Sequence, residues 1–101
     1  MSGTGVVMGH GMRITDVRIA PVRDQNEKLR AFATVTFDDC FVVRGIKVIL
    51  VPRGLMVAMP SRRTPEGKFQ DLAHPINAAA RARMEGAVLQ AYEEWQSGGA
   101  A

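Results

Sequence analysis

The chain of 101 residues is poor in cysteine, histidine and aromatic residues, with one cysteine, two histidines and six aromatic side chains. A lone Cys40 can form no disulfide within the chain, which fits a reducing compartment. No apolar run approaches the ~20 residues needed to cross a bilayer, and no basic-then-apolar signal peptide opens the chain. These absences predict a cytoplasmic protein without a membrane segment.

The same scarcity argues against a metal or catalytic centre. Cys40, His10 and His74 do not have the number or spacing of structural zinc ligands. His74 has Asp71 nearby, but no serine or cysteine motif supplies a nucleophile for a general base to activate. We therefore expect no enzyme and no cofactor. We expect His74 to make a structural hydrogen bond and Cys40 to be a buried thiol at a strand edge.

Apolar residues make up 47% of the sequence and charged residues 23%, which is typical of a globular protein. The length predicts one domain. Residues 1–11 hold four glycines without periodicity and predict a flexible extension. Residues 12–96 form the predicted domain, and residues 97–101 a frayed end.

Four stretches have the patterns of β-strands. Residues 13–23 and 30–37 alternate apolar and polar side chains, the period of a half-buried strand. Residues 41–51 form a longer β-branched run in which Gly45 predicts a bulge. The apolar run at residues 55–59, which a proline ends, predicts a buried strand. Short connections, including a polar turn at residues 24–28 and the pair Asp38-Asp39, predict an antiparallel meander.

The last segment has the spacing of an amphipathic helix. Asn77 is the predicted N-cap of a helix over residues 78–96. One broad stripe of this helix is apolar and comprises Ala80, Met84, Ala87, Val88, Ala91, Tyr92 and Trp95. Leu89 falls off the stripe, which predicts that it is exposed or contacts another chain. The fold class is α+β: a small antiparallel sheet of about four strands plus a short hairpin, with a C-terminal amphipathic helix.

Between the last predicted strand and the helix lies a proline-punctuated loop with two adjacent arginines, Arg62 and Arg63. The sequence Thr64-Pro65-Glu66-Gly67 predicts a tight turn, because proline presets φ at the second position and glycine is favoured at the fourth. Phe69 and Leu72 are expected to return the chain to the core. Phe41, Tyr92 and Trp95 are expected in the core as well.

The arginine pair has two interpretations of equal weight on spacing alone. Adjacent guanidinium groups can fork onto phosphate oxygens, with the hydroxyls of Ser61 and Thr64 as neutral donors. Alternatively, the arginines are solvated or pair with Glu66 and Asp71.

Charge is unevenly distributed along the chain, whose net charge is +3. Residues 40–83 contain eight basic and two acidic side chains, a net charge of +6. Such segregation can create a positive face that attracts polyanions. Weaker candidates for such a face are Lys68, Arg44, Lys47, Arg81 and Arg83. Arg81 can instead form a surface pair with Glu85 four residues on.

Several segments resemble the stage V sporulation protein G (SpoVG) family, small bacterial proteins named for effects on septation and sporulation. The longest is AMPSRRTPEGKFQDLAHPIN at residues 58–77. The likeness extends through ITDVRI (14–19), ATVTFDDCFVVRGIKVI (33–49) and GLMVAMP (54–60) and covers roughly residues 12–92. Residues 51–53 depart from the polar turn usual in the family.

The resemblance implies a cytoplasmic regulator that binds DNA or RNA and is linked to septation, cell division and gene regulation. It implies a homodimer, with pairing through sheet edges. By position, Arg62 and Arg63 take the role of the family's basic loop. The predicted nucleic-acid-binding residues are Ser61, Arg62, Arg63, Thr64, Lys68, Arg44, Lys47 and Arg81. The competing prediction is a protein-interaction module that docks an acidic or extended segment of a septal partner.

Overall fold

The computed structural model of the protein describes residues 12–23 and 28–98. Four strands form one antiparallel sheet in the order β1-β2-β3-β4. Their bounds are β1 (Ile14–Ala20), β2 (Leu29–Phe37), β3 (Phe41–Val51) and β4 (Gly54–Ala58). Strands β5 (Ser61–Arg63) and β6 (Phe69–Asp71) pair separately as a hairpin, and helix α1 (Ala78–Gln96) follows. The predicted α+β class is confirmed.

Three sequence predictions fall partly or wholly outside the described residues. These are the extension at residues 1–11, most of the polar turn at 24–28 and the last part of the C-terminal end at 97–101.

One face of the sheet carries the core, because the apolar side chains of the strands alternate onto the side that the helix covers. On β2 this face holds Ala31, Ala33, Val35 and Phe37, all buried. The other buried core residues are Ile46, Val48, Val57 and Met59 from the sheet region and Met84, Val88 and Tyr92 from α1. The amphipathic patterns of β2 and α1 are therefore confirmed.

Helix α1 begins where the sequence predicts. The Asn77 side-chain oxygen Oδ1 accepts a hydrogen bond from the Ala80 backbone N–H at 2.8 Å, which satisfies one orphan donor of the first turn. Leu89 is half-buried and packs against the core. The prediction that it is exposed is wrong, because the sheet covers a broader arc of the helix than the stripe suggested, while the alternative of a contact with another chain stays a prediction.

The connection between β2 and β3 is a tight turn of three residues, 38–40. Asp38 and Asp39 have φ of 51° and 54°, and the Cys40 N–H donates to the Phe37 carbonyl at 3.0 Å. Aspartate tolerates this left-handed conformation better than most residues. Cys40 lies at the end of the turn and is exposed. The prediction of a buried thiol is wrong because the turn projects beyond the sheet.

Gly45 forms the predicted bulge in β3. The register between β2 and β3 shifts between Ala33 and Val35, opposite Gly45, whose φ is +82°. Only glycine adopts this conformation without a steric penalty. The bulge lets Val43 and Ile46, which are three residues apart, both face the core.

Strand β4 is an edge strand, and the prediction that it is a buried strand is wrong for half of it. Val57 is buried, but Leu55 and Met56 are 41% and 45% exposed. Both lie in β4, which pairs with β3 on one side and with no other described strand on the other. An apolar run cannot by itself distinguish a central strand from an edge strand.

We expect the same substitution to have opposite effects at two glycines. Gly45→Ala should lower the free energy of unfolding by about 1–2 kcal/mol, because alanine is strained at positive φ. Steric clash adds nothing, since the new Cβ would lie 3.5 Å from Pro60 Cβ, an ordinary contact. Gly86→Ala, in the exposed face of α1 with open space around it, should raise stability by about 1 kcal/mol. Urea unfolding of both variants measures the two changes in the free energy of unfolding. Equal changes in the two variants would contradict the bulge.

Candidate nucleic-acid interface

The two adjacent arginines lie on a short β-hairpin that stands clear of the sheet. We call residues 61–71 the arginine hairpin. Its strands pair Ser61 with Asp71, Arg62 with Gln70 and Arg63 with Phe69. The pairing is extended at the base, where the Leu72 N–H donates to the Pro60 carbonyl at 2.7 Å.

The predicted turn closes the hairpin. The Gly67 N–H donates to the Thr64 carbonyl at 2.9 Å, and the Thr64 N–H donates to the Lys68 carbonyl at 2.7 Å. The Thr64 hydroxyl accepts from the Lys68 N–H at 3.2 Å. Gly67 has φ of +87°, which the turn requires of it. Thr64 therefore holds the turn through its backbone groups and its hydroxyl oxygen.

Strand geometry places the two arginines on opposite faces of the arginine hairpin. Successive side chains of a strand alternate, so Arg63 shares a face with Phe69, and Arg62 shares the other face with Gln70. The two guanidinium groups therefore start from opposite faces of the ribbon, and phosphate binding by them stays a prediction.

Neither arginine is neutralised within the described part of the chain. The ion pairs there join Arg18 to Asp16 at 2.9 Å and Arg81 to Glu85 at 4.0 Å, and none reaches Arg62 or Arg63. The alternative pairing with Glu66 or Asp71 is thus not formed. Both arginines are exposed, so their charge is available to a ligand.

Of the other predicted cations, Lys68 lies in the arginine hairpin, and the rest lie on the sheet and the helix. Lys68 is exposed just after the hairpin turn, and Arg44 is exposed at the β3 bulge. Lys47 is half-buried and pairs across the sheet with Phe32, on the face that the helix leaves open. Arg81 lies in the first turn of α1 beside Glu85. The predicted site divides into the hairpin and separate positions on the sheet and the helix.

The sequence did not predict the exposed apolar residues of this region. Phe69 and Leu72 are 72% and 63% exposed, so the prediction that they return the chain to the core is wrong, as is the core placement of Phe41. Phe69 and Leu72 are exposed because the hairpin does not join the four-stranded sheet, whereas Phe41 is the first residue of β3, beside the exposed turn from β2. Tyr92 is buried and Trp95 half-buried against the core, as predicted.

An open apolar groove of about 660 Å³ lies between the sheet, the start of α1 and the segment that leads to it. We call it the apolar groove; its apolar lining includes Met12, Ile14, Phe41, Val43, Met59 and Met84. His74 and Asn77 contribute polar groups, and Arg83 is the one charged side chain among the lining residues that the structure describes. The volume lies in the range of ligand sites.

His74 makes the predicted structural hydrogen bond. Its Nδ1 lies 3.0 Å from the Pro75 carbonyl oxygen. A carbonyl oxygen only accepts, so Nδ1 is the donor. Across residues 12–23 and 28–98, no three histidine, cysteine, aspartate or glutamate side chains are grouped to hold a metal ion. In the same part of the chain, no helix has the length and apolar character to span a membrane.

Comparison with known proteins identifies the family. The SpoVG family model matches residues 12–94, which include both arginines and the whole described fold up to the last turn of α1. The chain belongs to the SpoVG family. Relatives named "Putative septation protein SpoVG" are similar over most of their length. One from Desulforudis audaxviator is 60% identical over 82 residues, covering 81% of this chain and 92% of the relative.

Two further relatives with the same name extend the comparison. The protein of Anaeromyxobacter sp. (strain Fw109-5) is 50% identical over 90 residues, covering 89% of this chain and 91% of its own length. The protein of Heliobacterium modesticaldum is 54% identical over 83 residues, covering 82% of this chain and 92% of its own length. The SpoVG family assignment thus covers nearly all of the described residues.

We expect Gly67→Ala to loosen the arginine hairpin without unfolding the domain. Alanine is strained at φ of +87°, whereas the core contains no residue of the hairpin. Amide hydrogen exchange should accelerate at Thr64 and Leu72, whose N–H groups close the hairpin, and stay unchanged in β2. Gly67→Asn is the control, because asparagine tolerates positive φ. Equal protection of Thr64 in all three proteins would contradict the prediction.

Proposed function

We propose that the protein is a cytoplasmic, non-enzymatic regulator that binds DNA or RNA through its arginine hairpin and acts in septation and gene regulation. Membership of the SpoVG family and the septation name of the relatives support the cellular role. The binding activity and the role of the hairpin are inferred from the residues themselves.

One observation carries the proposal: Arg62 and Arg63 are exposed, have no ion-pair partner among the described residues and point to opposite faces of a two-stranded ribbon. A guanidinium group binds phosphate oxygens bidentately and is always charged. Leaving two of them unpaired on a projecting element favours an anionic ligand. The net charge of +6 over residues 40–83 adds a long-range attraction to polyanions.

The placement of the arginines on opposite faces favours a ribbon inserted between two phosphate backbones. The major groove of B-form DNA, about 12 Å wide, admits a two-stranded β-ribbon. In that position Arg62 would face one wall of the groove and Arg63 the other. Lys68, just after the turn, would contribute a further phosphate contact. Such binding depends mainly on phosphates and is therefore strongly weakened by salt.

A second copy of the chain would strengthen this binding. Two hairpins on one dimer make the second contact intramolecular, so the combined affinity exceeds that of either hairpin. We propose a homodimer on this ground.

The competing function uses the same chemistry on another ligand. Guanidinium groups also bind carboxylates bidentately, so an acidic segment of a septal protein would fit the hairpin without any nucleic acid. Binding to nucleic acid distinguishes the two functions.

The test is fluorescence anisotropy with labelled duplex DNA, RNA and single strands across a salt series. We expect Arg62→Ala and Arg63→Ala each to weaken binding to all sequences alike. Each should reduce the slope of log K against log salt by about one per chain, the effect of losing one phosphate contact. The double variant should reduce this slope by about two per chain, because the two side chains bind separate phosphates.

Arg53→Ala is the matched control, an exposed arginine in the turn between β3 and β4, and should leave the slope nearly unchanged. If the double variant binds as the wild type does, the hairpin is not the phosphate contact. If the wild type binds no nucleic acid at all, the proposal is wrong, and an acidic protein segment is the ligand to test next.

A further inference from the structure

The face of the sheet that is turned away from α1 carries an aromatic side chain. Side chains of a strand alternate between two faces, so Phe32 and Thr34 of β2 point away from the core that holds Ala31, Ala33 and Val35. We call this side of the four-stranded sheet the open face. Among the described elements, α1 packs on the other face, and the arginine hairpin forms a separate sheet.

Phe32 has a small neighbour on one side and a cation on the other. Across the antiparallel ladders it pairs with Ala20 of β1 and with Lys47 of β3. Residues directly opposite each other have Cβ atoms about 5 Å apart, so the Lys47 ammonium group is within reach of a ligand that lies on the ring. Ala20 is exposed and short, which leaves room beside the ring on the β1 side.

Two arginines lie near this ring on the open face. Arg18 pairs with Thr34, one diagonal step from the ring, and a long side chain spans the roughly 7–8 Å of such a diagonal. The neighbours of Thr34 in β2 pair with Val43 and Ile46, so Arg44 lies at the bulge opposite Thr34. Both arginines are exposed. Together with the lysine, they place three cations around one aromatic ring.

Most of this positive charge is not compensated within the sheet. Strands β1 to β4 contain one acidic residue, Asp16, which forms an ion pair with Arg18 at 2.9 Å. Arg44 and Lys47 have no ion-pair partner in the described part of the chain. Lys47 is also half-buried, and a cation that is partly removed from water gains from an anionic partner. The open face therefore favours an anionic ligand.

We propose that the open face binds single-stranded nucleic acid, with one base stacked on Phe32 and the flanking phosphates held by Lys47 and the two arginines. Bases of a single strand stack on aromatic side chains, while neighbouring cations follow the backbone. The Thr34 hydroxyl, between the two arginines, is placed to hydrogen-bond the edge of a base. The inference goes beyond the proposed function, since it uses another surface and a single strand in place of a duplex.

A single strand fits this face better than a duplex or a protein does. The bases of a duplex stack on each other and do not cover the ring, so a duplex would use the cations alone. A protein docked on Val42 and Met56, which are exposed on the same face, would remove Arg44 and Lys47 from water at a cost in free energy. A single strand supplies phosphates for the cations and a base for the ring.

The first test is fluorescence anisotropy with labelled oligo-dU and oligo-U, which differ only in the sugar, beside a labelled duplex. Phe32→Leu removes the ring but keeps a large apolar side chain. We expect it to weaken binding to the single strands roughly tenfold, the effect of losing one base stacked on an aromatic ring. Duplex binding should stay unchanged. Phe32→Tyr keeps the ring and should bind as the wild type does.

Phe41→Leu is the matched control for the loss of a ring. Phe41 is 57% exposed but lies on the groove side of the sheet, so this variant should bind single strands as the wild type does. Lys47→Ala tests the phosphate contacts and should reduce the slope of log K against log salt by about 0.7, the effect of one contact to a single strand. Phe32→Leu should leave that slope unchanged, because a stacked base releases no counterion.

A second measurement uses the wild type alone and does not depend on how a variant folds. The protein is photocrosslinked to oligo-U that contains iodouracil, and mass spectrometry locates the adduct. We expect the adduct on Phe32. Adducts confined to the arginine hairpin would overturn the proposal. Urea unfolding of each variant checks that the binding data refer to folded protein.

The outcomes are separable from those of the proposed function. If Phe32→Leu binds single strands as the wild type does, or if the wild type binds none, this inference is wrong and duplex binding by the hairpin keeps its own test. An equal loss of duplex and single-strand binding in Phe32→Leu also overturns it, because the ring then acts through the fold. A loss that is specific to single strands, and that recurs in the Arg62→Ala/Arg63→Ala background, supports it whatever the hairpin binds.

Discussion

The structure depends on the burial of one face of the sheet under α1. Small β-branched and alanine side chains of β2 and β3 allow the helix to lie close, and Met84, Val88 and Tyr92 supply its contacts. In a chain of this size such a core leaves little surplus stability. The sheet and helix use nearly all of the buried apolar side chains, so every other element must be held by local hydrogen bonds or by a partner.

The arginine hairpin shows this constraint most clearly. Backbone hydrogen bonds at its turn and base define its shape, but none of its residues reaches the buried core. This separation suits a binding element, because guanidinium groups next to the core would be partly desolvated or paired with acidic neighbours. It also leaves apolar surface exposed, which is costly in a soluble monomer unless it serves a contact.

The proposed function of this protein rests on features of its surface. The features are unpaired cations on a ribbon, and the surface also has an apolar groove. The hairpin is part of the connection between β4 and α1, and the rest of that connection, residues 73–77, lines the groove. Pre-ordering a binding element lowers the entropy that its ligand must offset.

Local patterns in the sequence were sufficient for the elements themselves. Alternation fixed β1 and β2, Gly45 marked the bulge, Asn77 marked the start of α1, and Thr64 to Gly67 formed the predicted turn, because each depends on φ, ψ and hydrogen bonds within a few residues. The family resemblance identified the arginines as the candidate site.

Only the tertiary structure decided which surfaces are free. The apolar run of β4 was predicted to be buried, yet its place at the sheet edge exposes Leu55 and Met56. Phe69 and Leu72 were predicted to enter the core, but the hairpin does not join the sheet. The two arginines are adjacent in the sequence but lie on opposite faces of the hairpin, because a strand alternates its side chains. Burial depends on which neighbours a strand has, and that is a property of the whole fold, which no local pattern contains.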